Sequence, residues 1–130
     1  SKVIHLHGEL KKARSEVNPH LEIDIEYEDI NYGDLAPDGN QLRPAIVWFG
    51  EMVPMIEVAA DVVMKADYLI VIGTSLAVYP AAGLVNYAPN HSKKYVIDPG
   101  VPELLSYKDW HHVQKSATDG VQVLAKNLLN

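Results

Sequence analysis

The sequence contains no cysteine at any of its 130 positions. This absence excludes disulfide bonds, thiolate zinc sites and cysteine nucleophiles. No apolar run approaches the roughly 20 residues that a membrane-spanning helix needs. The first residues also lack the long apolar stretch and small-residue cleavage site of a secretory signal peptide. These absences favour a cytoplasmic protein.

Basic residues are scarce as well: 11 Lys and Arg stand against 17 Asp and Glu, which gives a formal net charge of -6. No more than two basic residues are adjacent, so the footprint of a nucleic-acid-binding protein is missing. We expect neither a nucleic-acid nor a membrane partner. An acidic chain could attract basic peptides, although most acidic proteins are simply soluble. A length of 130 residues with 48% apolar content suits one globular domain.

The N-terminal third is mostly polar. We predict a short strand over Lys2–His7 and irregular structure over Glu9–Glu16. Leu21–Glu28, "LEIDIEYE", alternates apolar and acidic residues, which predicts a strand with one solvated face. Asn31–Gln41 contains two glycines and a proline and is predicted to be a loop.

From Ala45 onward, apolar strands alternate with helical patterns. The predicted strands are Ala45–Phe49, Tyr68–Ile72, Tyr95–Ile97 and His112–Gln114; the predicted helices are Pro54–Ala66, Pro80–Ala88 and Asp119–Leu129, with a helical turn at Pro102–Tyr107. This alternation predicts an α/β fold with a parallel sheet. In such sheets ligands bind beyond the carboxyl ends of the strands.

Polar residues occupy two of those strand ends. Gly73, Thr74 and Ser75 follow an apolar strand and offer backbone N–H groups and hydroxyls. They suit a nucleotide's ribose or phosphates, but an ordinary capping turn would use the same residues. Asp98 ends the next strand; its carboxylate could accept hydrogen bonds from ribose hydroxyls or could initiate a turn before Pro99. Both interpretations stay open for each motif.

Histidines and one glutamate are the other candidates. His5 and His7 share a strand face, but no third ligand has matching spacing for a metal site. His7, at the strand end, is better placed to act as a general base, although a lone histidine is more often structural. The adjacent pair His111–His112 is interpreted as surface or packing. Glu51 is either a surface charge or the lining of a cleft.

Five segments together resemble the sirtuin family of NAD-dependent protein-lysine deacylases. They are colinear: "VIHLHGEL" (3–10), "LRPAIVWFGEMVP" (42–54), "ADYLIVIGTSLAVYPAAGL" (66–84), "YVID" (95–98) and "KSATDGVQVLAKNL" (115–128). The second and third segments are the most specific. The resemblance implies a Rossmann-like parallel sheet with flanking helices. It also implies transfer of the acyl group of an acyl-lysine to ADP-ribose with release of nicotinamide, so NAD would be a co-substrate.

The resemblance assigns roles to individual residues. His7 would be the catalytic histidine, which accepts a proton from the nicotinamide ribose. The NAD contacts would be Gly73, Thr74, Ser75, Asp98 and Ala117. The walls of the acyl-lysine cleft would be formed by Val47, Phe49, Gly50, Glu51, Leu76, Val78 and Tyr79. The substrate peptide would pair there as an added strand, a mode of binding that tolerates many sequences.

The chain departs from the family pattern in three places. The four zinc-binding cysteines usual between the first two segments are missing, so we expect no zinc; a β-containing insertion, 8–41, would replace that module beside a Rossmann-like half, 42–130. Asp98 stands where the family commonly has asparagine, so the carboxylate can accept hydrogen bonds there but cannot donate them. The glycine-rich first half of the domain has no counterpart, so residues 1–130 would be a C-terminal segment of the catalytic domain.

That last departure has consequences for function. A segment without the first half is expected to have little activity alone and to expose sheet that favours self-association. Two alternatives to a deacylase follow from the same residues. One is a non-catalytic module that binds acyl-lysine peptide or NAD, and the other is a sirtuin-like NAD hydrolase or ADP-ribosyltransferase.

Overall fold

Two units make up the chain, residues 1–55 and 56–130, in the computed structural model, which describes residues 2–102 and 109–129. The first unit contains an antiparallel sheet with the strand order β2-β1-β3. Its strands are β1 (Gly8–Ser15), β2 (Glu22–Asp24) and β3 (Leu42–Ile46). Two of these strands, β1 and β2, fall within residues 8–41.

The central strand, β1, occupies the segment that was predicted to be irregular, and the predicted strand over Lys2–His7 is wrong because pairing begins only at Gly8. The strand was not predicted because its sequence, GELKKARS, is mostly polar and has no apolar alternation. Ala13 and Ser15 are completely buried on one face, whereas Lys12 is ion-paired to Glu9 at 2.8 Å. Because the ladder is made by backbone groups, such a strand needs only a few small buried side chains to find its place.

The alternating segment after it forms a shorter strand than predicted. Only Glu22–Asp24 pairs with β1. The backbone N–H groups of Ile25 and Glu26 both donate to the carbonyl of Lys11, at 2.9 and 3.2 Å. Glu26 adopts a positive φ of 52°. The left-handed residue ends the extended run, although the alternation of the sequence continues to Glu28.

The strand predicted at Ala45–Phe49 is present but shifted and joined to a different sheet. β3 covers Leu42–Ile46 and pairs antiparallel with β1, not with the parallel strands that follow. An apolar run such as "AIVWF" predicts a strand, but it does not identify the partner. The ladder continues by one bond, since the Val47 N–H donates to the His7 carbonyl at 2.9 Å.

The second unit contains a parallel sheet with the strand order β4-β5-β6, as the alternation predicted. Its strands are β4 (Tyr68–Ile72), β5 (Lys93–Ile97) and β6 (Trp110–Val113). Val71 and Val96 form a buried pair, and Leu76, Val85 and Trp110 pack against it.

Three helical segments follow the predicted order: α1 (Ile56–Val63), a 3₁₀ helix (Ala81–Tyr87) and α2 (Ala117–Leu129). α1 packs against the 3₁₀ helix, and α2 packs against β5. Residues 103–107 of the predicted turn at Pro102–Tyr107 lie outside the described residues. Within the described part of the chain, no helix combines the length and apolarity needed to cross a membrane.

β4 is an edge strand: among the described residues it pairs only with β5. Its Tyr68, Ile70 and Ile72 share one face of the sheet and are 48%, 39% and 40% exposed. This edge therefore leaves backbone groups and apolar side chains accessible.

A buried serine hydroxyl connects three segments of the first unit by hydrogen bonds. Ser15 Oγ donates to Asp38 Oδ2 at 2.7 Å and accepts the N–H groups of Val17 and Asn18 at 3.2 and 3.1 Å. One buried hydroxyl thus joins β1, the turn after it and the loop that precedes β3. The same hydrogen bond lowers the pKa of Asp38.

In the second unit, a glycine permits the closest approach of a helix to the sheet. Gly120 of α2 faces Ile97 of β5, and a Cβ at this position would overlap the Ile97 side chain. Leu124, one turn later, is 4% exposed. The helix can seat Leu124 only because Gly120 has no side chain.

Replacing Gly120 by alanine is expected to destabilise the chain by about 1–3 kcal/mol, since the added methyl forces the helix off the sheet. The gain in helix propensity, close to 1 kcal/mol, offsets only part of this cost. Urea unfolding measures the change. The control is Gln122→Ala, at an exposed position of the same helix, which should stay within about 0.5 kcal/mol of the parent. A Gly120→Ala chain as stable as the control would contradict the close packing.

Ser15→Ala is expected to lower stability by about 1–3 kcal/mol, because two backbone N–H groups and one carboxylate lose their shared partner. Thermal or urea unfolding gives the difference. Hydrogen exchange should also quicken in the loop that contains Asp38, while Tyr68–Ile72 in the second unit should be unaffected. Unchanged exchange in the loop would show that the hydroxyl does not hold it.

Candidate functional site

The parallel register places three strand ends at one edge of the sheet in the second unit. Ile72, Ile97 and Val113 are direct neighbours across β4, β5 and β6. The ladder continues past them, as Gly73 N–H donates to the Ile97 carbonyl at 3.3 Å and Asp98 N–H to the Val113 carbonyl at 3.4 Å. Gly73 and Asp98, predicted independently from two motifs, are therefore brought together.

Gly73 turns the chain away from the sheet with a φ of +61°. Thr74 Oγ1 then accepts the Leu76 N–H at 3.1 Å, and Leu76 itself has a positive φ of 53°. The capping-turn interpretation thus applies to Thr74, whose hydroxyl proton is still available for donation. Ser75 is exposed, and among the described residues its hydroxyl has no hydrogen-bond partner. The loop offers one structural hydroxyl and one that can bind a ligand.

One of the two carboxylate oxygens of Asp98 accepts a hydrogen bond within the turn that follows the strand. Its Oδ1 accepts the Gly100 N–H at 2.7 Å, which is the turn initiation considered from the sequence. Among residues 2–102 and 109–129, the other carboxylate oxygen has no hydrogen-bond partner. The Asp98 carbonyl accepts from His112 Nε2 at 2.8 Å, so this histidine carries its proton on Nε2. His112 is half-buried and supports the Asp98 backbone, which agrees with the packing alternative for this residue.

Ala117 is the first residue of α2, and three residues separate it from the end of β6. Ser116 caps the helix: its Oγ accepts the Asp119 N–H at 3.3 Å and donates to Asp119 Oδ2 at 2.9 Å. Gln114 Nε2 donates to the Pro99 carbonyl at 3.2 Å, which ties the segment before α2 to the loop after Asp98. The start of α2 and Asp98 thus belong to one connected edge.

The three predicted wall residues of the second unit have different surroundings. Leu76 packs partly against the buried Val71 and Val96. Val78 and Tyr79 are 48% and 73% exposed. Leu76 anchors the loop, and the two exposed side chains are those available to a ligand.

His7 lies just before β1 in the first unit and is exposed. Its backbone is fixed from both sides, because its carbonyl accepts from Val47 and the next residue, Gly8, presses against β3. Gly8 has a φ of +86°, and a Cβ there would overlap the Ala45 carbonyl oxygen. His7 therefore combines an accessible imidazole with a rigidly placed backbone.

The turn after β3 holds the remaining predicted wall residues. Val47 is half-buried, Phe49 is 95% exposed, and Gly50 turns the chain with a φ of +86°. Glu51 closes this turn, as its N–H donates to the Trp48 carbonyl and its Oε2 accepts the Trp48 N–H, both at 3.1 Å. The turn presents Phe49 to solvent on a closed backbone loop.

The Glu51 carboxylate is directed toward two arginines. Arg43 donates to it through Nη1 at 2.6 Å and Nη2 at 3.3 Å, and Arg14 Nη2 lies 3.6 Å away. The hydrogen bonds from Arg43, then that from the Trp48 backbone, lower the pKa of Glu51. Glu51 thus fixes the shape of the turn, and its contribution to a cleft wall would be indirect.

Sequence reasoning missed the residues that support the site: Arg14, Arg43, His112 and Ser116. Ser116 had a recognisable signal, since a serine three residues before an acidic residue is typical of a helix start. The two arginines carried none, because their partner Glu51 is distant in sequence or lies beyond a turn.

The chain does not fit the family's thiolate zinc site. Residues 8–41 contain no cysteine. Within residues 2–102 and 109–129, no group of three or more His, Asp or Glu side chains is arranged to hold a metal ion. His5 contacts Glu9 at 3.5 Å instead.

The sequence is similar to proteins named NAD-dependent protein deacylase. The one from Bacteroides thetaiotaomicron is 47% identical over 134 aligned positions, which cover 99% of this chain and 57% of the relative. The one from Helicobacter pylori strain 26695 is 45% identical over 129 positions, covering 99% of this chain and 56% of the relative. The chain therefore spans little more than half the length of these curated relatives.

Solved structures agree in fold. A Sir2 homolog in complex with NAD superimposes with a TM-score of 0.80 at 31% identity, covering 98% of this chain and 53% of the other. Sir2Tm bound to a propionylated peptide gives a TM-score of 0.75 at 25% identity, covering all of this chain and 58% of the other. The sequence profile of the Sir2 family matches residues 1–80. These matches confirm the sirtuin resemblance and the Rossmann-like fold class, and the chain belongs to the Sir2 family.

Proposed function

We propose that the chain is part of an NAD-dependent protein-lysine deacylase, which transfers the acyl group to ADP-ribose and releases nicotinamide. The observation that carries this proposal is the joint presence, in a Sir2-family chain, of an accessible His7 on a fixed backbone and a polar edge at Gly73 and Asp98. Relatives at 47% and 45% identity are named NAD-dependent protein deacylase, which supports the proposal.

The polar edge of the second unit is the proposed NAD contact. Backbone N–H groups and the Ser75 hydroxyl suit phosphate or ribose oxygens. The second carboxylate oxygen of Asp98 suits a ribose hydroxyl, which can donate to it. Ala117 has a small side chain at the start of α2, and this allows a flat ring such as adenine to approach the helix. Gly73 and Thr74 shape the loop.

His7 is the proposed general base. It accepts a proton from a ribose hydroxyl of NAD, a task that proteins most often give to histidine. The close contact of Gly8 with Ala45 and the hydrogen bond from Val47 to the His7 carbonyl fix the backbone position from which the imidazole extends.

The proposed partner is an acylated lysine in an extended peptide. In the first unit, the residues proposed to contact it are Val47, Phe49 and Gly50, with the turn closed by Glu51. In the second unit, they are Val78 and Tyr79, anchored through Leu76. Exposed Phe49 and Tyr79 offer apolar surface for the acyl-lysine stem.

Three accompanying properties are proposed with this function. The small module, 8–41, is held without zinc, supported by the Ser15–Asp38 hydrogen bond and the lack of cysteine. The protein works in the cytoplasm, without nucleic-acid or membrane partners. The open edge at β4 supports self-association of the 130-residue chain.

The direct test is nicotinamide release from NAD, with and without an acetyl-lysine peptide, read by mass spectrometry so that slow turnover is detected. The 130-residue chain alone is expected to have little activity, so the proposal expects slow, peptide-dependent release with stoichiometric acetyl-ADP-ribose, and His7→Ala should abolish it. His5→Ala is the matched control and should retain activity. ADP-ribose binding to the chain, measured by calorimetry, should survive His7→Ala.

Two results would overturn the proposal. Release that does not depend on peptide would indicate an NAD hydrolase. If the chain bound none of ADP-ribose, NAD and acetyl-lysine peptide, the proposed binding site would be contradicted.

Glu51→Gln is expected to loosen the turn that forms the proposed wall. The folded-state pKa of Glu51 is lowered from 4.5, so the carboxylate contributes stability that is fully present above that pH and is lost as pH falls through the folded-state pKa. The stability difference between the parent and Glu51→Gln should therefore be constant near neutral pH and should shrink in acid. Thermal unfolding between about pH 3 and pH 7 measures it. Glu16→Gln, at an exposed position of the same unit, is the control and should leave the stability within about 0.5 kcal/mol of the parent.

A further inference from the structure

The first unit contains a groove that none of the proposed site residues lines. Its cavity volume is about 490 Å³, within the range of small-ligand and side-chain pockets. The floor is apolar and includes Leu10 of β1, Leu42 and Pro44 of β3, and Ile25 and Ile30 of the loop. Leu10 is 78% exposed, so this apolar surface is open to solvent. A partner that covers it would gain free energy from burial.

Negative charge accompanies the apolar floor. Glu28 and Asp29 line the groove and are exposed. Among residues 2–102 and 109–129, no cationic side chain lies within ion-pair distance of either carboxylate. Arg43 also lines the groove, but its charge is satisfied by Glu51 at 2.6 Å. The groove thus carries two uncompensated carboxylates.

The first unit as a whole is also negatively charged. Residues 1–55 hold ten of the 17 acidic side chains but only five of the 11 basic ones. Tyr32, which lines the groove, is fully exposed and presents an aromatic ring. A guanidinium group can stack on such a ring and bond to carboxylates at the same time, whereas an ammonium is a more compact and more strongly hydrated charge. Shape and charge together favour arginine.

The groove is preformed. Gln41 Oε1 accepts the Gly33 N–H at 2.7 Å, and its Nε2 donates to the carbonyls of Asn31 and Leu42, both at 3.0 Å. One side chain therefore fastens the loop that carries Tyr32 to the start of β3. Little ordering remains to be done when a ligand binds, which favours affinity.

We propose that this groove binds an arginine side chain of the protein substrate, close in sequence to the acylated lysine. This inference rests on the proposed function for the identity of the peptide. Pro44 of the groove and Val47 of the proposed wall are about 10 Å apart along an extended strand. Arg43 also connects the groove to Glu51. A peptide lying along this surface would place the arginine about three or four residues from the acyl-lysine.

The first arm of the test uses the 130-residue chain and short labelled peptides with neither an acylated lysine nor NAD. Fluorescence polarisation at low salt compares a peptide carrying one arginine with the same peptide carrying citrulline, a neutral isostere. The arginine peptide should bind about fivefold more tightly or better, and the difference should shrink at high salt. A lysine peptide should fall between the two.

Variants locate the binding. The double variant Glu28→Gln, Asp29→Asn should lose most of the preference for arginine. Glu26→Gln removes an exposed carboxylate from the same segment that does not line the groove, and it should keep the preference. Equal binding of arginine and citrulline by the parent chain, or equal losses in the double variant and in Glu26→Gln, would overturn the proposal. The peptide comparison needs no variant, so a folding defect cannot hide the answer.

The second arm separates this inference from the proposed function. Acetyl-lysine peptides carry arginine at different distances on either side of the lysine, and their affinities are compared. A preference for arginine without a preference for acetylation would support the groove and contradict the deacylase. A preference for acetylation that ignores arginine would support the deacylase and overturn the groove. The expected result is an optimum about three or four residues from the lysine.

Discussion

Parallel pairing of β4, β5 and β6 is the constraint on which the proposed cofactor edge depends. Parallel strands end on the same side of a sheet, so residues that follow Ile72, Ile97 and Val113 become neighbours despite their distance in sequence. The ladder extends one bond into both following loops. Gly73 and Asp98 are consequently positioned by backbone hydrogen bonds, and among the described residues the Oδ2 atom of Asp98 has no hydrogen-bond partner.

The sequence predicted the second unit more completely than the first. Tyr68–Ile72 was correct to the residue, because this strand is an uninterrupted apolar run between recognisable turns. In the first unit, the central strand Gly8–Ser15 was missed and Leu21–Glu28 was too long. There the strands are set by a buried serine, small side chains and one left-handed residue, Glu26, and none of these changes the hydrophobic pattern.

In the candidate site, the strand-end residues were predictable from the sequence and the residues that support them were not. Strand-end motifs and the sirtuin resemblance identified Gly73 and Asp98, and the register brings these two together. The supporting residues were not predictable. Arg43 holds Glu51 and His112 holds the Asp98 backbone through contacts that are made only in the folded chain. The capping role of Thr74 shows that a turn and a binding loop are compatible uses of one residue.

The contact between Gly8 and the Ala45 carbonyl has a consequence for the interpretation of mutational screens. His7 and Gly8 are adjacent, and replacement of either would abolish a function that depends on His7, but for unrelated reasons. Loss of the imidazole removes a proton acceptor from an intact chain. A side chain at Gly8 separates β1 from β3 and misplaces an unaltered imidazole. A survey scored by growth or turnover would rank both positions as equally essential, so abundance of folded protein must be scored in parallel to distinguish chemistry from sterics.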